Sequence, residues 1–215
     1  MSVSRKKTVI SELKKYNKEI KKDIRYDKYC KMAATPYAFY RGTDHLYWRD
    51  FSKDRGSKKF STLKTRTWLQ GDLHAYNFGT FKNDKGELVY GLNDFDEAVI
   101  SDYQYDVWRM AVSLILIARE NGKSAKSDEK KFVATFADSY LKQLKILSKN
   151  NKGEKIAYTS KQAGSPLKEF MKIIEEKNLI TNQLSDAGQE KEEVKGGLRE
   201  PAGSSQSLQA IIQHQ

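Results

Sequence analysis

Gly71-Asp72-Leu73-His74-Ala75-Tyr76-Asn77, followed one hairpin's length later by Asn93-Asp94-Phe95-Asp96-Glu97, is the stretch on which the reading of this chain turns. Residues 65–70 (Thr-Arg-Thr-Trp-Leu-Gln) have the β-branched and aromatic character of a strand and run straight into Gly71-Asp72. Two further short strands are expected at Asn77–Phe81 and Glu87–Asn93. The residues between them, Lys82-Asn83-Asp84-Lys85-Gly86, are turn formers, and Gly86 can take the positive φ that a hairpin needs. Such a hairpin folds Asp94 back beside Asp72 and Asn77. An aspartate and an asparagine five apart, with a second aspartate after the next strands, suit phosphoryl transfer. One carboxylate receives an acceptor hydroxyl, while the Asn and the other Asp hold Mg²⁺ against nucleotide phosphates.

In that reading Asp72, in a loop directly after a strand, is the base or orienting group. Asn77 and Asp94 supply two hard oxygen ligands to Mg²⁺. His74 is the other candidate for direct chemistry, although a histidine inside such a loop more often ties it to the neighbouring strand. A lone Asp-x-x-x-x-Asn would mean nothing, because both residues are common in turns. The strand before and the hairpin between give the pattern its weight. Asp96 and Glu97 read as caps, and Asp102 and Asp106 suit the start of the next helix, with one of them able to reach back to the loop.

Around this centre the chain reads as helical. Over residues 8–31, Ile10, Leu13, Ile20 and Ile24 form an apolar stripe that Asn17 interrupts, with lysines on the other faces. Thr35-Pro36 breaks the chain, and an aromatic segment, Tyr37-Ala38-Phe39-Tyr40-Arg41-Gly42, follows it. A helix from Asp102 to about Gly122 carries Val107, Met110, Ala111, Leu114, Ile115 and Ala118 on its apolar face. A second helix starts after Ser127 and runs to about Leu147. A third starts at Ser165-Pro166, by N-cap and N1 proline, and ends near Asn178.

The formal net charge is +11, but residues 1–31 hold eleven basic against four acidic side chains. The excess therefore describes the N-terminal segment. Its lysines, over residues 5–31, suit either nucleic acid or an anionic membrane, or more simply a solvated helix face, since no aromatic stacking pattern accompanies them. The single Cys30 excludes an internal disulfide, and no Cys/His spacing suggests zinc. No apolar run is long enough for a membrane span or a secretory signal, so a cytoplasmic protein is expected. Three segments result: a basic amphipathic helix at 1–31, a catalytic-loop domain at 32–182, and a low-complexity tail at 183–215 expected to be disordered.

Gly71–Asn77, Asn93-Asp94-Phe95-Asp96-Glu97-Ala98 and Ser101-Asp102-Tyr103-Gln104-Tyr105-Asp106 resemble three consecutive motifs of aminoglycoside-phosphotransferase-type kinases. The run from Tyr37-Ala38-Phe39-Tyr40-Arg41-Gly42 through Ala118-Arg119 is similar to an uncharacterised, mainly bacterial family, domain of unknown function 2252. The resemblance implies an α+β fold with a kinase-like catalytic (C-lobe type) core, a β-hairpin and packed helices. It implies ATP and Mg²⁺ as cofactors and an acceptor that it does not identify. Asp72 would be the catalytic aspartate, Asn77 and Asp94 the metal ligands, and Asp106 the buried aspartate that supports the loop from the next helix. Arg41 would belong to the same site, without a role that the kinase motifs define.

The sequence departs from that pattern in one respect. A kinase has a glycine-rich strand-turn and an ATP-phosphate lysine before its catalytic loop, whereas only Gly42 and Gly56 precede Gly71. In the resembling family a glycine-rich segment with a lysine follows the catalytic motifs. Here Gly188, Gly196, Gly197 and Gly203 are scattered through a polar tail. The expectation is a C-terminally truncated member without its nucleotide lobe: a phosphotransferase in part, or a non-catalytic binding or scaffold remnant. Metal-dependent phosphoesterases also use Gly-Asp-x-His, but their two-metal sites need several histidines, and the chain has only His45, His74 and His214.

Overall fold

The computed structural model describes residues 3–123, 125–150 and 158–187. Among them the chain is mixed α+β, with eight α-helices and two small antiparallel sheets. The described residues fall into two compact units, one within Met1–Ala75 and Asp94–Ser139, the other within Tyr76–Asn93 and Tyr140–Gln215.

The first unit begins with α1 (Val3–Tyr16) and α2 (Lys22–Ala33). The single helix expected over 8–31 is thus two. The break falls at Asn17, whose N–H at 3.2 Å and Nδ2 at 2.8 Å both donate to the Leu13 carbonyl at the end of α1. α1 packs on α4 (Asp44–Phe51), with Arg5 donating to Asp50 at 2.8 Å and Arg49 lying 3.3 Å from Glu12. Between them α3 (Pro36–Arg41) starts as the sequence dictates, with proline in its first turn and Thr35 Oγ1 accepting from the Ala38 N–H at 3.0 Å. A single turn, α5 (Arg55–Lys58), is capped by Asp54.

β1 (Arg66–Leu69) pairs antiparallel with β4 (Val99–Asp102), Leu69 opposite Val99. β4 has no counterpart among the sequence-predicted elements, because its four residues carry too little alternation to stand out before pairing. Asp102, at its end, accepts from Thr65 Oγ1 at 2.6 Å and from the Gln104 N–H at 3.0 Å, so it closes the strand and opens α6 (Gln104–Glu120). The face that α6 buries differs from the expected one. Ala111 and Ala118 are buried as expected, but so are Arg109, Ser113 and Ile117, each no more than 0 % exposed and spaced four apart. Leu46, Met32, Tyr37 and Ile117 supply the apolar core of this unit, each fully buried large side chain contributing roughly 1.5–3 kcal/mol.

In the second unit β2 (Phe78–Lys82) and β3 (Leu88–Leu92) form the expected hairpin, with Gly79 opposite Gly91. Its turn is built by Asn83, whose Oδ1 accepts from the N–H groups of Lys85 and Glu87, and by Gly86 at φ +76°. Tyr90 bridges to Tyr158, and β3 contacts α8 (Leu167–Ala187). α8 begins after Pro166, where Ser165 Oγ bonds Glu169 at 2.8 Å. It continues nine residues past the end expected near Asn178, because no glycine or proline intervenes before Gly188. α7 (Lys126–Asn150) contributes residues to both units. The disorder expected for the tail concerns residues that, from 188 onward, lie outside the described ones.

Candidate functional site

The loop after β1 is held by three side chains that fix its backbone. Asp106, in the first turn of α6, accepts from the N–H groups of Gln70 at 2.8 Å and Gly71 at 3.2 Å. Gln70, 4 % exposed, uses both ends of its amide: Oε1 accepts from the Asp72 N–H at 3.0 Å, and Nε2 donates to the Asp94 carbonyl at 2.5 Å. Ser113 Oγ accepts from the Ala75 N–H at 3.1 Å. Gly71 is obligatory here, at φ +95° and with a Cβ that would fall 2.0 Å from the Glu97 carbonyl oxygen. Asp94 itself has φ +62°, a conformation that Asp and Asn tolerate better than other side chains.

The Asp72 carboxylate so presented meets Arg109. Arg109 Nε donates to Asp72 Oδ1 at 2.5 Å and Nη2 forms an ion pair with the same oxygen. Asp44, at the start of α4, lies on the same guanidinium, its Oδ1 3.1 Å from Nε. That contact is ionic only, since the Nε–H is directed at Asp72 and Asp44 Oδ1 has no hydrogen-bond partner among the described residues. Tyr40 and Tyr47 stack over the guanidinium, with ring centroids 4.5 and 5.1 Å away. Arg109 is 0 % exposed, a burial that an arginine accepts only when paired.

Burial pushes the Asp72 carboxyl up to about 6 against the opposing pull of Arg109, and pushes Asp44 up to about 7 in the same way. Burial would lower the Arg109 value, but Asp72 and Asp44 outweigh it and hold the guanidinium charged. His74 is pushed down to about 3, first by burial and then by Arg41 and Arg109. It is therefore neutral near pH 7. Its Nδ1 lies 3.2 Å from the Tyr37 hydroxyl, and its Nε2 is 3.8 Å from Asp72, beyond hydrogen-bond reach. His74 thus ties the loop to α3 rather than to the neighbouring strand.

A cavity of about 500 Å³ opens on this cluster and is lined by Asp72, Asp44, Arg41, Glu97, Asn17 and His45 among others. Of the sequence-predicted residues, Asp72, His74, Asp106 and Arg41 come together in the first unit, and the Asp94 carbonyl joins them through Gln70. Asn77 is buried in the second unit, where its carbonyl accepts from the Asn93 N–H at 2.7 Å. Arg109, Asp44 and Gln70 were not foreseen. The signal for Arg109 was a charged residue one turn after Asp106 and in line with Ser113 and Ile117, at a helix position that spacing places inward.

An α+β chain with a loop aspartate buried on an arginine and opening on a cavity is the class that fold and site define. The chain belongs to the family described as an uncharacterized protein conserved in bacteria, DUF2252, which matches residues 22–205. No curated protein and no solved structure matches it. Among the described residues no group of three or more His, Cys, Asp or Glu side chains could hold a metal, and no helix is long and apolar enough to cross a membrane.

Proposed function

We propose that this chain is a phosphotransferase-like protein of the kinase type, with Asp72 as the group that receives the acceptor's hydroxyl proton. The observation that carries the reading is the Asp72 carboxylate itself. Its backbone is fixed by Asp106 and Gln70, its value is about 6, and it faces a cavity large enough for a small acceptor. A base that is ionised near neutrality yet still basic suits proton transfer better than an ordinary surface aspartate. ATP would supply the phosphoryl group, and Mg²⁺ its charge neutralisation. Magnesium is held by one or two protein oxygens plus water and phosphates, and the Asp94 carboxylate in the first unit and the Asn77 amide oxygen in the second each offer an oxygen of that chemistry.

A second reading has its own support. The Asp72 carboxylate is already engaged by Arg109, as in a site that binds without reacting. Calorimetric titration of ATP with Mg²⁺ into the full chain, beside Asp94→Asn, separates the two. Asn preserves the backbone conformation at φ +62° and removes only the charge. Mg²⁺-dependent binding that the substitution abolishes is the expected result for a phosphotransferase. No ATP binding in a folded sample would leave the non-catalytic binding or scaffold role.

A further inference from the structure

Buried polar atoms without partners are rare, because each costs about 1–3 kcal/mol. Among the described residues four buried side-chain atoms make no hydrogen bond, Asn17 Oδ1, Asp44 Oδ1, His45 Nε2 and Arg109 Nη1, although Asp44 Oδ1 is ion-paired with Arg109 Nε at 3.1 Å. Three of the four belong to side chains that line the cavity over Asp72. Asn17 is the clearest case, at 1 % exposure. Its amide cannot be turned round, because Nδ2 donates to the Leu13 carbonyl at 2.8 Å and a flip would set oxygen against oxygen. The free atom is therefore an acceptor. Asp44 Oδ1, held by Arg109 through charge alone, keeps lone pairs for a hydroxyl from the cavity. His45 is lowered below its ordinary value by burial, so its ring is neutral and Nε2 can serve as acceptor or donor. The ring stacks on Tyr16 at 4.3 Å and gives the cavity a flat wall. The charged groups balance in number only through Arg109, which lies buried behind the lining on Asp44 and Asp72: with Lys28 and Arg41 of the lining it stands against Asp44, Asp72 and Glu97. A ligand with a net charge would upset that balance, whereas one rich in hydroxyls would satisfy the free acceptors.

We infer that this cavity binds a small neutral polyhydroxylated molecule of the sugar or cyclitol class, with Asn17, Asp44 and His45 accepting from or bonding its hydroxyls. As the acceptor for Asp72 this assignment rests on the phosphotransferase reading; as a binding site it does not. The test is saturation-transfer NMR with the full chain, without nucleotide, using glucose, mannose and myo-inositol, with glucosamine and glucose 6-phosphate as charged analogues. Asn17→Leu and His45→Phe are the variants. Phenylalanine keeps the stack on Tyr16, so His45→Phe tests binding even if Asn17→Leu unfolds. The expected result is binding of at least one neutral compound in preference to the charged analogues, weakened about tenfold in His45→Phe. The inference is overturned if no neutral compound binds, if a charged analogue binds more tightly, or if binding is unchanged in folded variants. Sugar binding without Mg²⁺-dependent ATP binding would sink phosphotransfer and leave the site; ATP binding without sugar binding would do the reverse.

Discussion

Arg109 Nε donates a hydrogen bond to Asp72 Oδ1 at 2.5 Å, joining the middle of α6 to the loop after β1 across 37 residues of chain. The pair is covered by two tyrosine rings and shared with Asp44. It holds the reactive-looking carboxylate of this chain in place, and three consequences of that burial and of the loop it anchors can be measured.

Removing the guanidinium strands two carboxylates. Arg109→Met is expected to cost about 3–5 kcal/mol, because Asp72 and Asp44 are left buried without their cation. Combining it with Asp72→Asn should recover part of that loss, so that the two changes are far from additive. Urea unfolding of the two single variants and the double variant is the measurement. Additive losses would mean that the ion pair is not what stabilises this corner.

Glycine matters at one loop position and much less at another. Gly71→Ala places a Cβ 2.0 Å from a backbone carbonyl oxygen at a φ of +95°, so backbone must move and the chain is expected to lose several kcal/mol, roughly 3 or more. Gly86→Ala, at φ +76° with nothing within 4 Å, meets only the conformational cost of about 1 kcal/mol. Thermal melts of both should rank them in that order.

The carboxylates and the histidine of the site pull stability in opposite directions with pH. Asp44 and Asp72 have values raised to about 7 and about 6, so the native state keeps protons that the unfolded chain has released. Their contribution is complete below about pH 4 and is lost as pH rises through 6 and 7. His74, lowered to about 3, contributes fully above about pH 6.5 and loses its contribution as pH falls towards 3. Asp44→Asn removes one of the groups that favour low pH. Wild type should lose stability relative to this variant between pH 5 and pH 8. A difference that does not change with pH would contradict the raised value. If Asp72 is a base, turnover should rise through about pH 6.

The sequence by itself determined the elements whose signals are local. The hairpin followed from Asn83 and Gly86 between two short apolar runs, and the start of α3 from Thr35-Pro36. Gly71-Asp72 after a strand marked the loop, because turn geometry is fixed by residues a few positions apart, whereas spacing left open whether Asp102 or Asp106, some 35 residues on, reaches back to it, and the structure shows Asp106. The break at Asn17 was visible as an interruption of the stripe, but not as the end of a helix. Only the tertiary structure decided the partners of Asp72. Arg109 and Asp44 are remote in sequence from the loop, and a periodicity reading counts an arginine as a surface residue. Burial of that arginine is favourable only once two carboxylates and two tyrosine rings have been assembled around it. β4 likewise exists only because β1 is there to pair with it. The division of Asp72 and Asn77 between two units, and the free acceptor of Asn17 beside the cavity, are properties of packing that no spacing along the chain encodes.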